Sequence, residues 1–205
     1  KKLLAVIAVA LLCTTTANAD LLITEVVDGP LAGGNPKFVE ITNTGPMDYT
    51  FADGGIIVQS NAATDYAVDV DLTGITITAG QSYVIQSSAN DGIAQFQAAY
   101  GFDADLYTSA FFSNGDDRYI LTNTSAADGT GSSWEYLDSY AYRIFGSSSN
   151  GGMFVQAEWF QGPVNWFDTN NTIADIQAVT SPGVWVPEPA TLTLLGMGLI
   201  GAAWR

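Results

Sequence analysis

The chain of 205 residues contains no histidine. That absence removes the side chain whose ordinary pKa suits proton transfer near neutral pH, the commonest nitrogen ligand of metals, and every Ser-His-Asp or Cys-His arrangement. Cysteine occurs once, as Cys13 inside an apolar N-terminal run, so residues 20–205 hold no thiol. A fold built from them rests on its core and its hydrogen bonds, which a domain of this size can supply. Cations are scarce too: six Lys and Arg face 21 Asp and Glu, a formal charge of −15. Such a surface repels nucleic-acid phosphates. No internal repeat of fixed period is present, which argues against propellers and solenoids. Gly, Asn, Ser, Thr, Tyr and Phe are abundant instead, a composition of short strands joined by turns.

Both ends read as addresses. Lys1 and Lys2 precede eleven apolar residues (3–13), then three threonines and Ala17-Asn18-Ala19, the basic, apolar and small-residue parts of a secretory signal peptide. Ala17 and Ala19 are the small residues that signal peptidase reads, and cleavage after Ala19 makes Asp20 the mature N-terminus. Loss of Lys1 and Lys2 leaves Lys37, Arg118, Arg143 and Arg205 against 21 acids, a formal charge of −17. A lipoprotein reading of Cys13 is weaker, because Leu12 stands before it where a small residue is wanted. At the other end Pro187-Glu188-Pro189 leads into an apolar run of fifteen residues (190–204) followed by Arg205. Proline breaks a helix upstream and arginine resists crossing. As helix the run measures about 22 Å at roughly 1.5 Å per residue, short of the roughly 30 Å hydrocarbon core, so spanning needs a thinned bilayer or snorkelling. Gly196-Met197-Gly198-Leu199-Ile200-Gly201 imitates a dinucleotide-binding fingerprint but lacks its preceding strand and later acidic residue; the glycines read as small faces of a membrane helix.

This C-terminal segment resembles the PEP-CTERM sorting signal of Gram-negative bacteria, with Arg205 alone in place of a basic cluster. The resemblance implies recognition by an exosortase, transient anchoring in the inner membrane through the C-terminal helix, and delivery to the cell surface or the extracellular matrix of a biofilm.

Between the addresses, residues 20–183 suffice for one domain. Residues 21–27 and 38–43 read as strands, followed by 54–59, 67–72, 75–78, 82–86, 118–122 and 135–144. One short helix is expected over residues 91–100, with Ile93, Phe96 and Tyr100 on one face, Asn90 or Asp91 as N-cap and Gly101 beyond the end. It is expected across a sheet edge or a sandwich end.

Leu22-Ile23-Thr24-Glu25-Val26-Val27-Asp28-Gly29-Pro30, Gly33-Gly34-Asn35-Pro36-Lys37, Phe38-Val39-Glu40-Ile41-Thr42-Asn43, Asn114-Gly115-Asp116-Asp117 and Thr180-Ser181-Pro182-Gly183 together resemble the lamin-tail domain in its secreted bacterial form. The resemblance implies an all-β, immunoglobulin-like β-sandwich that occurs alone or beside secreted enzymes and contributes no catalytic residues. The organisation expected is therefore a signal peptide (1–19), the sandwich (20–183) and a sorting segment with a short membrane helix (184–205).

Three side-chain groups carry potential chemistry. Glu25 and Glu40 occupy equivalent places in two early strands, where paired carboxylates could serve acid-base catalysis; the plainer reading is two solvated or Lys37-paired residues. Asp69, Asp71, Asp103, Asp105, Asp116 and Asp117 are hard oxygen donors of the kind calcium takes, but in no known calcium-loop spacing; solvated acidic turns explain them as well. Trp134, Trp159, Trp166 and Trp185 with Tyr136, Tyr140 and Tyr142 could stack on the sugars of an exopolysaccharide, or be core and cross-strand pairs. The expectation is an exported, non-enzymatic protein with a structural or adhesive role and no cofactor. Its alternatives are a glycan-binding module, with or without calcium, and an accessory domain of a secreted hydrolase.

Overall fold

The computed structural model describes residues 20–111, 114–130 and 134–185. The residues expected to form a signal peptide, including Ala17 and Ala19, and residues 186–205, with Pro187, Glu188 and Pro189, lie outside the described residues. In chain order the elements are β1 (Leu21–Leu31), β2 (Asn35–Asn43), β3 (Tyr49–Thr50), β4 (Gly55–Gln59), β5 (Val70–Asp71), β6 (Thr76–Ile77), β7 (Ser82–Ser87), α1 (Gly92–Tyr100), β8 (Leu106–Thr108), β9 (Arg118–Leu121), β10 (Ser125–Asp128), β11 (Tyr140–Arg143), β12 (Trp159–Gln161) and α2 (Ile173–Val179).

They form a sandwich. One sheet of six strands runs β12-β11-β1-β2-β7-β8, a second of four runs β10-β9-β4-β5, and β3 pairs with β6 as a separate ribbon. All the pairings are antiparallel except β7 with β8. Alternation decides which side chains fill the space between the sheets: Val39 and Ile41 from β2, Ile85 from β7 and Ala141 from β11 meet Ile56, Tyr119, Leu121 and Ala127 of the second sheet. The opposite face of the larger sheet carries Val27, Phe38, Val84 and Tyr140, which pack under Phe96, Phe167 and Ile176. Two helices, not one, therefore cover an outer sheet face instead of an edge or end. In α1 the buried residues are Gly92, Phe96 and Ala99, while Ile93 is exposed; the helix is rolled about its axis from the face expected, because Phe38 meets Phe96 and Tyr100 edge-on at 5.9 and 6.0 Å.

The Gly-rich motif at residues 29–37 has a local cause. It turns the β1–β2 hairpin, with Gly33 and Gly34 at φ +79° and +74°, and a Cβ on Gly29 would stand 2.6 Å from the Asn35 carbonyl carbon. Only glycine fits such an approach. Asn35 then donates its amide to the Ala89 and Asn90 carbonyls, which fastens the hairpin tip to the start of α1.

Candidate functional site

A bulge creates the site. Ile23 pairs with Ile41, but the next pair is Glu25 with Glu40, so β1 carries one extra residue, Thr24. Strict alternation would have put Glu25 on the same face as Ile23, inside the sandwich. The bulge instead turns Thr24 and Glu25 outward together and sends Val26 back into the core, the re-aiming that bulges commonly perform.

Glu25 and Glu40 thus face one another on the outer side of the larger sheet, both buried. Each is bound to main chain that follows α2. The Ser181 N–H donates to Glu25 Oε1 at 3.1 Å, and the Gly183 N–H donates to Glu40 Oε2 at 2.6 Å. Thr24 Oγ1 donates to Glu40 Oε1 at 2.6 Å, and hydroxyl contacts continue from Thr24 to Thr42 at 2.8 Å and from Thr42 to Ser82 at 2.7 Å. Burial raises the pKa of Glu25 well above the ordinary glutamate value, and the charge of Glu40 adds to it, while the Ser181 amide opposes. Burial raises Glu40 as well, against the hydrogen bonds from Thr24 and Gly183.

α2 delivers the segment that the carboxylates hold. Thr172 and Asp175 form a capping box at its start, each side chain accepting from the other's backbone N–H. At its end Thr180 Oγ1 donates to the Ile176 carbonyl at 2.7 Å and lies 2.7 Å from the Tyr100 hydroxyl. Ser181 to Gly183 then cross the carboxylate pair.

Next to the pair opens a cavity of about 620 Å³. One wall is the Ser181 segment and the end of α2; the other is aromatic. Tyr142 and Phe160 stack across β11 and β12 at 4.8 Å with planes 17° apart, and Tyr140 lies parallel to Tyr142 at 6.4 Å. Trp185 closes the rim by donating its indole N–H to the Arg143 carbonyl at 3.2 Å.

The sequence-derived candidates divide clearly. Glu25 and Glu40 are brought together, but neither is solvated and Lys37 pairs with neither: its ammonium lies 2.9 Å from Asp28. Of the seven aromatics, Trp134, Trp159 and Tyr136 are core; Tyr140, Tyr142 and Trp185 line the cavity, and Trp166 packs against Tyr140 and Phe167. Tyr136 is not in the strand of Tyr140, since β11 begins only at Tyr140. The calcium candidates are dispersed, and among the described residues no three acids converge on a metal position. They brace turns and strands instead: Asp69 accepts from Val58 N–H, Asp71 from Thr73, Asp105 from Val84 N–H and Asp117 from Asn61 N–H. Phe160, Ile144, Phe145 and the two backbone donors escaped the sequence reading. The recoverable signal was two glutamates amid β-branched residues, whose burial demands donors from elsewhere.

A family model described as Lamin Tail Domain matches residues 14–143, and one described as PEP-CTERM protein-sorting motif matches residues 186–205. No curated protein and no solved structure matches the chain. The first match stops at Arg143, so α2, Ser181, Gly183 and the rim at Trp185 stand between the two.

Proposed function

Because the chain belongs to the lamin tail domain family and carries a PEP-CTERM sorting motif, we propose that it is a non-catalytic display domain with an immunoglobulin-like sandwich. It is exported, held in the membrane by residues 190–204 until an exosortase processes it, and delivered to the surface or biofilm matrix of a Gram-negative bacterium in a structural or adhesive role.

The observation that carries this reading is the use to which Glu25 and Glu40 are put. A general acid or base must reach a substrate proton, whereas these carboxylates are buried and already accept from Ser181, Gly183 and Thr24. They fasten the stretch of chain that immediately precedes the sorting motif, as a display domain needs when its C-terminal end is handled by a membrane enzyme. The purified protein is expected to turn over no nuclease, glycosidase or esterase substrate. Robust turnover that Glu25→Gln or Glu40→Gln abolishes would overturn the non-catalytic reading.

Processing has its own expected signature. The surface-extracted protein should have lost Arg205, read as an intact mass, and replacing Pro187, Glu188 and Pro189 together by alanine should leave the unprocessed chain in the membrane fraction. Unchanged surface delivery of that triple variant would remove the sorting role.

A further inference from the structure

Both apolar ends of the chain leave the fold at one place. Asp20 immediately precedes β1, its carboxylate accepts from the Ser149 N–H at 3.1 Å, and its charge acts on Arg143. Trp185 hydrogen-bonds the Arg143 carbonyl and packs on Phe145 at 5.1 Å. The apolar runs at 3–13 and 190–204 are therefore tethered to the same end of the sandwich, the end at Arg143.

The surface there is apolar and aromatic. Tyr142, Ile144, Phe145, Phe160 and Val184 are each between 39% and 55% exposed and line one cavity. Single exposed apolar residues need no explanation, but a contiguous group marks an interaction surface. The acids and the cation that line this cavity, Glu25, Glu40 and Arg143, are all buried, so the wall offers no exposed charge in a chain with 21 acids.

What meets this face is set by chain length. Four residues, 186–189, separate Trp185 from the apolar run that begins at Ala190, and five steps of about 3.6 Å reach at most roughly 18 Å. Whatever residues 190–204 enter comes within that distance of the patch. Tyrosine and tryptophan are the side chains that settle at a membrane–water interface, and uncharged apolar surface is what can follow them there.

We infer that the face formed by Tyr142, Ile144, Phe145, Phe160 and Val184 docks on the lipid interface while the terminal segments are in the membrane, which seats the domain with its Arg143 end down. The inference rests on the reading that residues 190–204 enter a membrane before processing. Docking orients the domain, so that its Trp185 end faces the bilayer.

The test uses the full chain with Cys13→Ser and a single cysteine carrying an environment-sensitive dye, introduced by Ile144→Cys or, as a second site, Val184→Cys. Tyr66→Cys is the reference, in the β4–β5 connection of the other sheet and 69% exposed. Each protein is mixed with dioleoylphosphatidylcholine vesicles, with and without brominated acyl chains. The dye at 144 and at 184 is expected to shift to the blue and lose intensity to the brominated chains, while the dye at 66 changes in neither respect. A protein that floats with the vesicles while 144 and 184 behave like 66 overturns the docking face and leaves the membrane reading standing. A protein that does not float removes both. A dye at 144 that is shielded before lipid is added, and indifferent to bromine, puts residues 190–204 or a second copy in the groove and overturns the inference as well.

Discussion

Arg143→Met is expected to destabilise the protein by about 2–3 kcal/mol, because it takes the donor away from buried carbonyls and leaves the half-buried Glu158 without its cation. Arg143 is buried between the two sheets. Its Nε donates to the Ile23 carbonyl at 3.0 Å beside the Thr24 bulge, its Nη2 reaches the Ala126 carbonyl of the second sheet at 3.5 Å, and its Nη1 pairs with Glu158. The guanidinium carbon stands 4.9 Å over the Trp159 ring. One side chain thereby joins β1, β10, β11 and the turn before β12. Burial lowers its pKa, and the Glu158 carboxylate counters that. Methionine fills the volume but leaves the carbonyls of Ile23 and Ala126 without this donor. Lysine is a poor substitute, because a point charge cannot reproduce a planar fork with three acceptors in different directions. Urea unfolding reads the effect as a lower midpoint at unchanged slope. A loss under about 1 kcal/mol, the range of an exposed pair, would mean that the network contributes little beyond packing. Adding Glu158→Leu to Arg143→Met should recover part of the loss, since the unpaired carboxylate is then gone.

The parts of this fold that were legible in the sequence are those where alternation or a short apolar run is uninterrupted. Val39 and Ile41 against Phe38, Glu40 and Thr42 set β2, whereas β4 and β7 are legible as the short apolar runs Ile56-Ile57-Val58 and Tyr83-Val84-Ile85 between turn signals. Where side chains compete for the backbone, the pattern misleads. The strand expected over 67–72 shrinks to Val70–Asp71, with the Asp69 carboxylate engaged by the Val58 N–H. The strand expected over 135–144 starts at Tyr140, because Asp138 adopts φ +42° and gives its N–H to Asp28. α2 carried a readable capping signal in Thr172 and Asp175, yet its seven residues are too few for a helical period to stand out. Glu25 and Glu40 could be suspected from their positions, but the Thr24 bulge that turns Glu25 outward leaves no mark in composition or period. Ser181 lies 156 residues from Glu25, a pairing made by topology alone. The resemblance supplied both motifs without the bond between them.

That bond gives the last and most distinctive expectation, that the protein grows more stable as pH falls from neutral towards the ordinary carboxyl range. Glu25 and Glu40 have folded pKa values raised by burial, and burial pushes Asp28 up to about 6, against the pull of Lys37. A carboxyl whose folded pKa exceeds its unfolded one binds more protons folded than unfolded between the two values. Stability is then fully present below the unfolded pKa and is lost as pH rises through the folded one. For Asp28 the window runs from 3.8 to about 6, and at about 1.4 kcal/mol per pH unit it amounts to roughly 3 kcal/mol. Relief of repulsion among 21 acids acts in the same direction. Urea unfolding across a pH series measures the slope, and Glu25→Gln and Asp28→Asn should each flatten it. Glu40→Ala behaves differently: it removes the acceptor of the Gly183 N–H and of the buried Thr24 hydroxyl and should cost about 1–3 kcal/mol at every pH, with faster hydrogen exchange at the Ser181 and Gly183 amides. Stability that climbs steadily from pH 5 to pH 8 would contradict the raised pKa values, for it would mean that the amides of Ser181 and Gly183 outweigh the burial of the two carboxyls. In that event the segment before the sorting motif would be held by carboxylate charge, and acid would loosen it; with the pKa values raised, acid stabilises the fold to which that segment is bound.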